Sequence, residues 1–255
     1  MRILAVLLLL LAQRIPGPGG KVSGGGGGNP ALIGATTVIQ SFSGATVTLT
    51  VSEATGAGNE MAVGMTAETG AGCAGMTFTS QAKVGGSNVG DVFTLVSGSP
   101  ETQSFQCVFQ WTAPNISAAS AGQYTITFTQ TAGPGIAIAG LSEMQFSNLS
   151  LIDNQCTGSN TSGSPVSCSG SMTPSTSPVV IVGFTGDYYH TDTVAANTGF
   201  TIPSGGSAAA GTDGNPGQIN AEYQICLSSC TGTAYTPSFT VTGSMYSVII
   251  GAVLK

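Results

Sequence analysis

The chain has 255 residues, of which 6% are charged, against roughly 25% in an ordinary soluble domain. Between Val22 and Leu254 the only cation is Lys83, so ion pairs do not organise the fold, and a net charge of −6 leaves no basic patch to neutralise phosphates. Nucleic acid is excluded as a partner, and the surface must be wetted by hydroxyls, amides and backbone.

The N-terminus reads as an export signal. Arg2 is followed by an unbroken apolar run from Ile3 to Ala12, the length of a signal-peptide core and about half a membrane span. Residues 1–12 are therefore expected to be a signal peptide. Residues 13–30, ending in "KVSGGGGGNP", hold too much glycine to repay the cost of ordering and form a flexible leader, roughly 20 Å in r.m.s. reach. A single folded domain is expected over 31–255.

From Ala31 the hydrophobic period is two. In "ATVTLTVSE", Val47, Leu49 and Val51 alternate with Thr46, Thr48, Thr50 and Ser52. In "GQYTITFTQ", Tyr124, Ile126 and Phe128 point one way and Gln123, Thr125, Thr127 and Thr129 the other. "PVVIVGF" from Pro178 and "YSVIIGAVL" from Tyr246 are apolar on both sides, which predicts central strands covered on both faces. Counting the remaining runs ("ATTVIQSF", "EMAVGMTA", "GMTFTSQA", "DVFTLV", "SFQCVFQWT", "LSEMQFSNLSL", "INAEYQICL" and "PSFTVTG") gives about twelve strands. One helical turn is expected within "APNISAASAGQ" and a long polar loop across "NQCTGSNTSGSPVSCSG". The fold class is all-β: an antiparallel two-sheet β-sandwich or jelly roll. The strands after the polar loop are expected to complete sheets begun before it. No stretch beyond the leader is long and apolar enough to span a bilayer.

Six cysteines in an exported chain imply three disulfides. Loop lengths favour Cys156 with Cys168 and Cys226 with Cys230 as local staples, which leaves Cys73 with Cys107. With one histidine in the chain, zinc chemistry has no ligand set and no cofactor is implied.

Several polar clusters invite chemistry. Asp187, His190 and Asp192 in "GDYYHTD" are candidate metal ligands or catalytic groups, and Asp213 and Asn215 in "GTDGNPG" are candidate calcium donors; none follows a recognisable motif spacing. Alternation places Asn220, Glu222 and Gln224 on one side of a strand, and Glu143 with Gln145 on one side of another. Two outward faces each carrying a Glu and a Gln would suit sugar hydroxyls, or a glycosidase carboxylate pair, or plain solvation of a charge-poor surface. Trp111, Tyr188, Tyr189 and Tyr235 are candidate stacking aromatics, although Trp111 shares its parity with Cys107 and Phe109 and is expected in the core.

The succession "GNEMAVGMTAETG", "GMTFTSQAKVGG", "GQYTITFTQTAGPGIAIAGLSEMQF", "SPVVIVGF", "AEYQI" and "SFTVTGSMYSVIIGAVLK" resembles bacterial and phage extracellular β-sandwich modules of jelly-roll, lectin-like type. The resemblance implies a surface-exposed, non-catalytic module and carries over no site residue. Three functions follow as expectations: a secreted or cell-surface module binding carbohydrate or another extracellular polymer; a structural subunit of a filament, pilus or capsid-like assembly that self-associates by strand addition through "ALIGATTVIQSF"; and a secreted glycoside hydrolase using Glu143 and Glu222, or the His190 loop.

Overall fold

The computed structural model describes residues 28–41, 45–149, 151–160, 164–187, 193–209, 217–242 and 246–255. Among them are eighteen strands and no helix. The first half contains β1 (Leu32–Ser41), β2 (Thr46–Thr50), β3 (Glu60–Thr69), β4 (Thr77–Val84), β5 (Ser87–Val89), β6 (Thr94–Leu95), β7 (Glu101–Gln103), β8 (Gln106–Ala113), β9 (Tyr124–Ala132) and β10 (Ile136–Phe146). The second contains β11 (Ile152–Asn160), β12 (Val166–Ser167), β13 (Val179–Asp187), β14 (Val194–Ala196), β15 (Ser207–Ala209), β16 (Gln218–Cys226), β17 (Ser238–Val241) and β18 (Ser247–Leu254).

These strands form four antiparallel sheets rather than two. The first half builds an outer sheet, β2-β9-β4-β5, and an inner sheet, β1-β10-β3-β8-β6, with β7 also on β8. The second half builds its own inner sheet, β11-β18-β13-β16-β15, and a smaller outer sheet, β12-β17-β14. No sheet mixes strands from the two halves, so the later strands do not complete earlier sheets. β1 pairs along its length with β10 of its own chain.

Side-chain alternation assigns each sheet face to a core. Odd positions of β3 and β8 (Met61, Val63, Met65; Phe109, Trp111) meet Val47, Leu49, Ile126 and Phe128 of the first outer sheet. Even positions (Ala62, Val108), with Met144 and Phe146, meet Val180, Val182, Phe184, Ile250 and Leu254 of the other inner sheet. The far face of that sheet is closed by two smaller clusters around Phe239, Ile249, Met172 and Ile181. The stack is outer, inner, inner, outer. β13 and β18 are buried throughout, as expected of strands apolar on both faces.

The two halves also repeat one another. With β1, β2, β3, β4, β8, β9 and β10 matched to β11, β12, β13, β14, β16, β17 and β18, β1-β10-β3-β8 corresponds to β11-β18-β13-β16, and β2-β9-β4 to β12-β17-β14. Across the inner interface β3 packs on β13, β8 on β18 and β10 on β16. Matched strands exchange places, which is the pattern of an isologous contact inside a single chain. Gly64 meets Phe184 and Thr66 meets Gly186, so β3 and β13 run in the same direction.

Further differences from the sequence reading have local causes. The strands beyond the expected twelve include five edge pieces of two or three residues (β5, β7, β12, β14, β15), too short to show a period. β11 takes up the first part of the expected polar loop: it lies at the edge of the second inner sheet, paired to β18, where polar residues are tolerated. The "APNISAASAGQ" stretch holds no helical turn; Ala119 instead bridges to Thr55. The three disulfides are those expected, with Cα separations of 6.2 Å for Cys73–Cys107, 5.6 Å for Cys156–Cys168 and 5.9 Å for Cys226–Cys230. No helix among the described residues is long and apolar enough to cross a membrane.

Candidate functional site

The carboxylates and amides expected on open sheet faces are not on open faces. Glu143, Gln145, Asn220 and Glu222 are all buried, and Gln224 is half-buried. The parity was right, but each face is covered by the facing sheet of its own sandwich. Glu222 looks toward the second outer sheet and accepts hydrogen bonds from the backbone N–H of Ser238 (2.9 Å) and Asn197 (3.2 Å). Burial pushes its carboxyl up to about 8, against the pull of those two donors. Gln145 fastens the loop between β2 and β3: its Oε1 accepts from Gly56 N (3.0 Å) and Asn59 Nδ2 (2.7 Å), and its Nε2 donates to Ala54 O (3.3 Å).

Glu143 points into the first sandwich and Glu222 into the second, with both inner sheets between them. Facing sheets lie roughly 10 Å apart, and paired glycosidase carboxyls must flank one bond at about 5–9.5 Å. These two therefore share no cleft. Asp187 is buried at the end of β13, His190, Asp192, Asp213 and Asn215 lie outside the described residues, and no group of three His, Cys, Asp or Glu side chains that could hold a metal ion occurs among the described residues. Tyr188 and Tyr189 also lie outside them, while Tyr235 packs partly buried on Met172 and Cys230 rather than standing as a platform.

What the topology does assemble is a threonine face. The outward positions of β2, β9 and β4 come into register as Thr46–Thr129–Thr79, Thr48–Thr127–Gln81 and Thr50–Thr125–Lys83. Thr77 and Thr131 extend the array and hydrogen-bond to each other at 2.8 Å, as Thr48 and Thr127 do at 2.9 Å. Hydroxyls so placed repeat at about 4.7–4.9 Å between strands and roughly 6.7 Å along them. The face carries no carboxylate, and its single cation is Lys83. The alternating residues Val47, Leu49, Tyr124, Ile126, Phe128 and Ala82 are buried beneath, which fixes the threonines outward. The β2 and β9 threonines are visible in the sequence; that they sit side by side, and that β4 continues them, depends on a pairing between strands distant in the chain.

Beside this face, a cavity of about 240 Å³ opens between β4 and β6, walled by Met76, Phe78, Phe93, Leu95, Phe109 and Trp111, with Thr77 at its rim. Phe78 meets Phe109 and Trp111 edge-on at 5.1 and 5.9 Å between centroids, and Phe109 stacks on Trp111 at 5.6 Å. Trp111 is thus a core residue, as expected, whose ring also lines an opening. Thr77 belongs to both features.

Comparison of the chain with protein-family models, with curated proteins and with solved structures returns no match.

Proposed function

We propose that this chain is an exported, non-catalytic β-sandwich module that binds a neutral, hydroxyl-bearing extracellular polymer, a polysaccharide being the best fit, on the threonine face of its first outer sheet. The order β1-β10-β3-β8 facing β2-β9-β4-β5 supports reading each half as a jelly roll. The observation that carries the functional reading is the three-strand array around Thr127. Each hydroxyl offers one donor and two acceptor sites, so the array matches a ligand rich in hydroxyls. With few ions to desolvate, docking such a surface avoids the main penalty of burying charge. The aromatic cavity at Thr77 supplies an apolar wall for a ring at the margin of the same face. Export is supported by the three disulfides and by the apolar run from Ile3 to Ala12.

The test is co-sedimentation of the purified protein with insoluble neutral polysaccharides, beside Thr127→Glu. Binding by the wild type that the variant loses, at unchanged stability, supports the reading; equal retention of both, or of neither, refutes it.

A second reading, a structural subunit of an extracellular assembly, draws on one observation: the two halves already associate through broad faces without an ion pair between the inner strands. Electron microscopy of the purified protein tests it, since a subunit of this kind forms ordered polymers and a soluble binding module remains dispersed.

A further inference from the structure

Among the described residues, Glu53 and Glu143 of the first sandwich lie together with no cation beside them. Thr36 of β1 lies directly opposite Glu143 of β10, and Glu143 is wholly buried. Neither Glu143 oxygen accepts a hydrogen bond of normal geometry, and Oε1 of Glu53, in the loop after β2, is likewise buried without a partner. The other Glu53 oxygen accepts from Thr36 Oγ1 at 3.0 Å and Ser52 Oγ at 2.8 Å. Space for the Glu53 carboxyl is made by Gly34: a Cβ there would lie 2.6 Å from its carboxyl carbon and from Oε1. The loop that carries Glu53 is anchored by Gln145, two residues beyond Glu143.

The two carboxyls interact directly: burial first, then the charge of Glu53, drive the Glu143 carboxyl well above the usual carboxylate range. Tyr124, whose hydroxyl donates to Asp91 at 2.6 Å, also feels the Glu143 charge. Neither of the two lysines among the described residues relieves this. Lys83 sits on the outward face of β4, and Lys255 is paired with Asp153 at 2.8 Å. A buried carboxyl beside a half-buried one, without a basic partner, is relieved by a proton or a metal ion between them.

We propose that Glu53 and Glu143, with the hydroxyls of Thr36 and Ser52, form a calcium-binding site at the loop end of the first sandwich. Both Glu143 oxygens and Oε1 of Glu53 lack a hydrogen bond of normal geometry, and beside them lie the Thr36 and Ser52 hydroxyls, which donate to the other Glu53 oxygen; all of these are hard donors. Calcium accepts six to eight oxygens in irregular geometry, whereas magnesium demands a near-ideal octahedron and zinc prefers nitrogen and sulfur. A site of charge −2 is balanced by one divalent ion, and bound calcium ties the β2–β3 loop to the inner sheet. This inference is independent of polymer binding on the opposite side of β2.

The experiment is calorimetric titration of chelator-stripped full-length protein with calcium chloride at pH 7.5, with thermal unfolding in the presence and absence of the ion. The expected result is one equivalent bound with Kd of about 0.1–1 mM, the range of extracellular calcium modules, and a raised Tm. Glu143→Gln, Glu53→Gln and Gly34→Ala should each lose both signals. Glu53 is half-buried, so Glu53→Gln carries the test if Glu143→Gln fails to fold. No heat and no Tm change in the wild type, or wild-type binding by Glu53→Gln, overturns the proposal and leaves a shared proton as the neutralising partner.

Discussion

The ring of Phe184, on β13, fills the space that a Cβ on Gly64 of β3 would need. This contact sits at the centre of the interface where the two inner sheets meet, beside Ala62, Val108 and Val182. Adding one methyl should destabilise the protein by about 1–3 kcal/mol, the range of core overpacking. Phe184→Ala alone should cost about 3–5 kcal/mol through its cavity. In the double variant the two effects should not add, because each relieves the other. Denaturant unfolding of the four proteins measures the coupling.

Because the inner sheets share a core, the halves are expected to unfold together. Trp111 is the only tryptophan and lies in the first half. Its fluorescence transition should coincide with loss of the far-ultraviolet β signal, which includes the second half. A Trp111 transition separated from the circular-dichroism transition would show that the halves are energetically independent.

Glu60, on the same inner face, is wholly buried and neither of its oxygens has a hydrogen-bond partner; burial pushes its carboxyl from 4.5 up to about 8. Between those values the folded state holds a proton that the unfolded chain has released. Stability should therefore be fully present below about pH 4.5, fall by about 1.4 kcal/mol per pH unit toward pH 8, and level off above it. Glu222 acts in the same direction over the same window. Glu60→Gln should match the wild type near pH 4.5 and exceed it at pH 8. A Tm profile for that variant as steep as the wild type's would contradict the assignment.

The Cys73–Cys107 disulfide spans 34 residues and ties the β3–β4 connection to β8, whereas Cys226–Cys230 spans 4. By loop-closure entropy the first should be worth about 3–4 kcal/mol and the second clearly less. Paired Cys→Ala variants compared by chemical denaturation should rank in that order.

How far the sequence spoke depended on which kind of fact was asked of it. Parity along a strand was legible: Val47 with Leu49, Thr125 with Thr127, and Asn220 with Glu222 do share faces. What covers a face was not. The even positions of β8, Gln106, Gln110 and Thr112, look like a solvent side, yet all three are buried because a second sandwich lies over them. Glu143 and Glu222 misled because the outer side of their own sandwich covers them. Covered faces were recognisable only where both parities are apolar, as in β13 and β18. The edge strand β11 was lost among serines and threonines, since an edge needs no apolar pattern to keep its hydrogen bonds. Two cysteine pairs, Cys156–Cys168 and Cys226–Cys230, were readable directly from their short loops, and Cys73–Cys107 followed by elimination.

The most direct test of the account is the salt dependence of polymer binding. Retention of the wild type on its neutral polysaccharide should be nearly unchanged between 50 mM and 1 M salt, because screening weakens only charge-mediated contacts, and Thr127→Glu should lower the affinity at least about tenfold, roughly 1.4 kcal/mol. Binding that disappears at high salt, or that survives Thr127→Glu unaltered, would contradict recognition through the neutral threonine face.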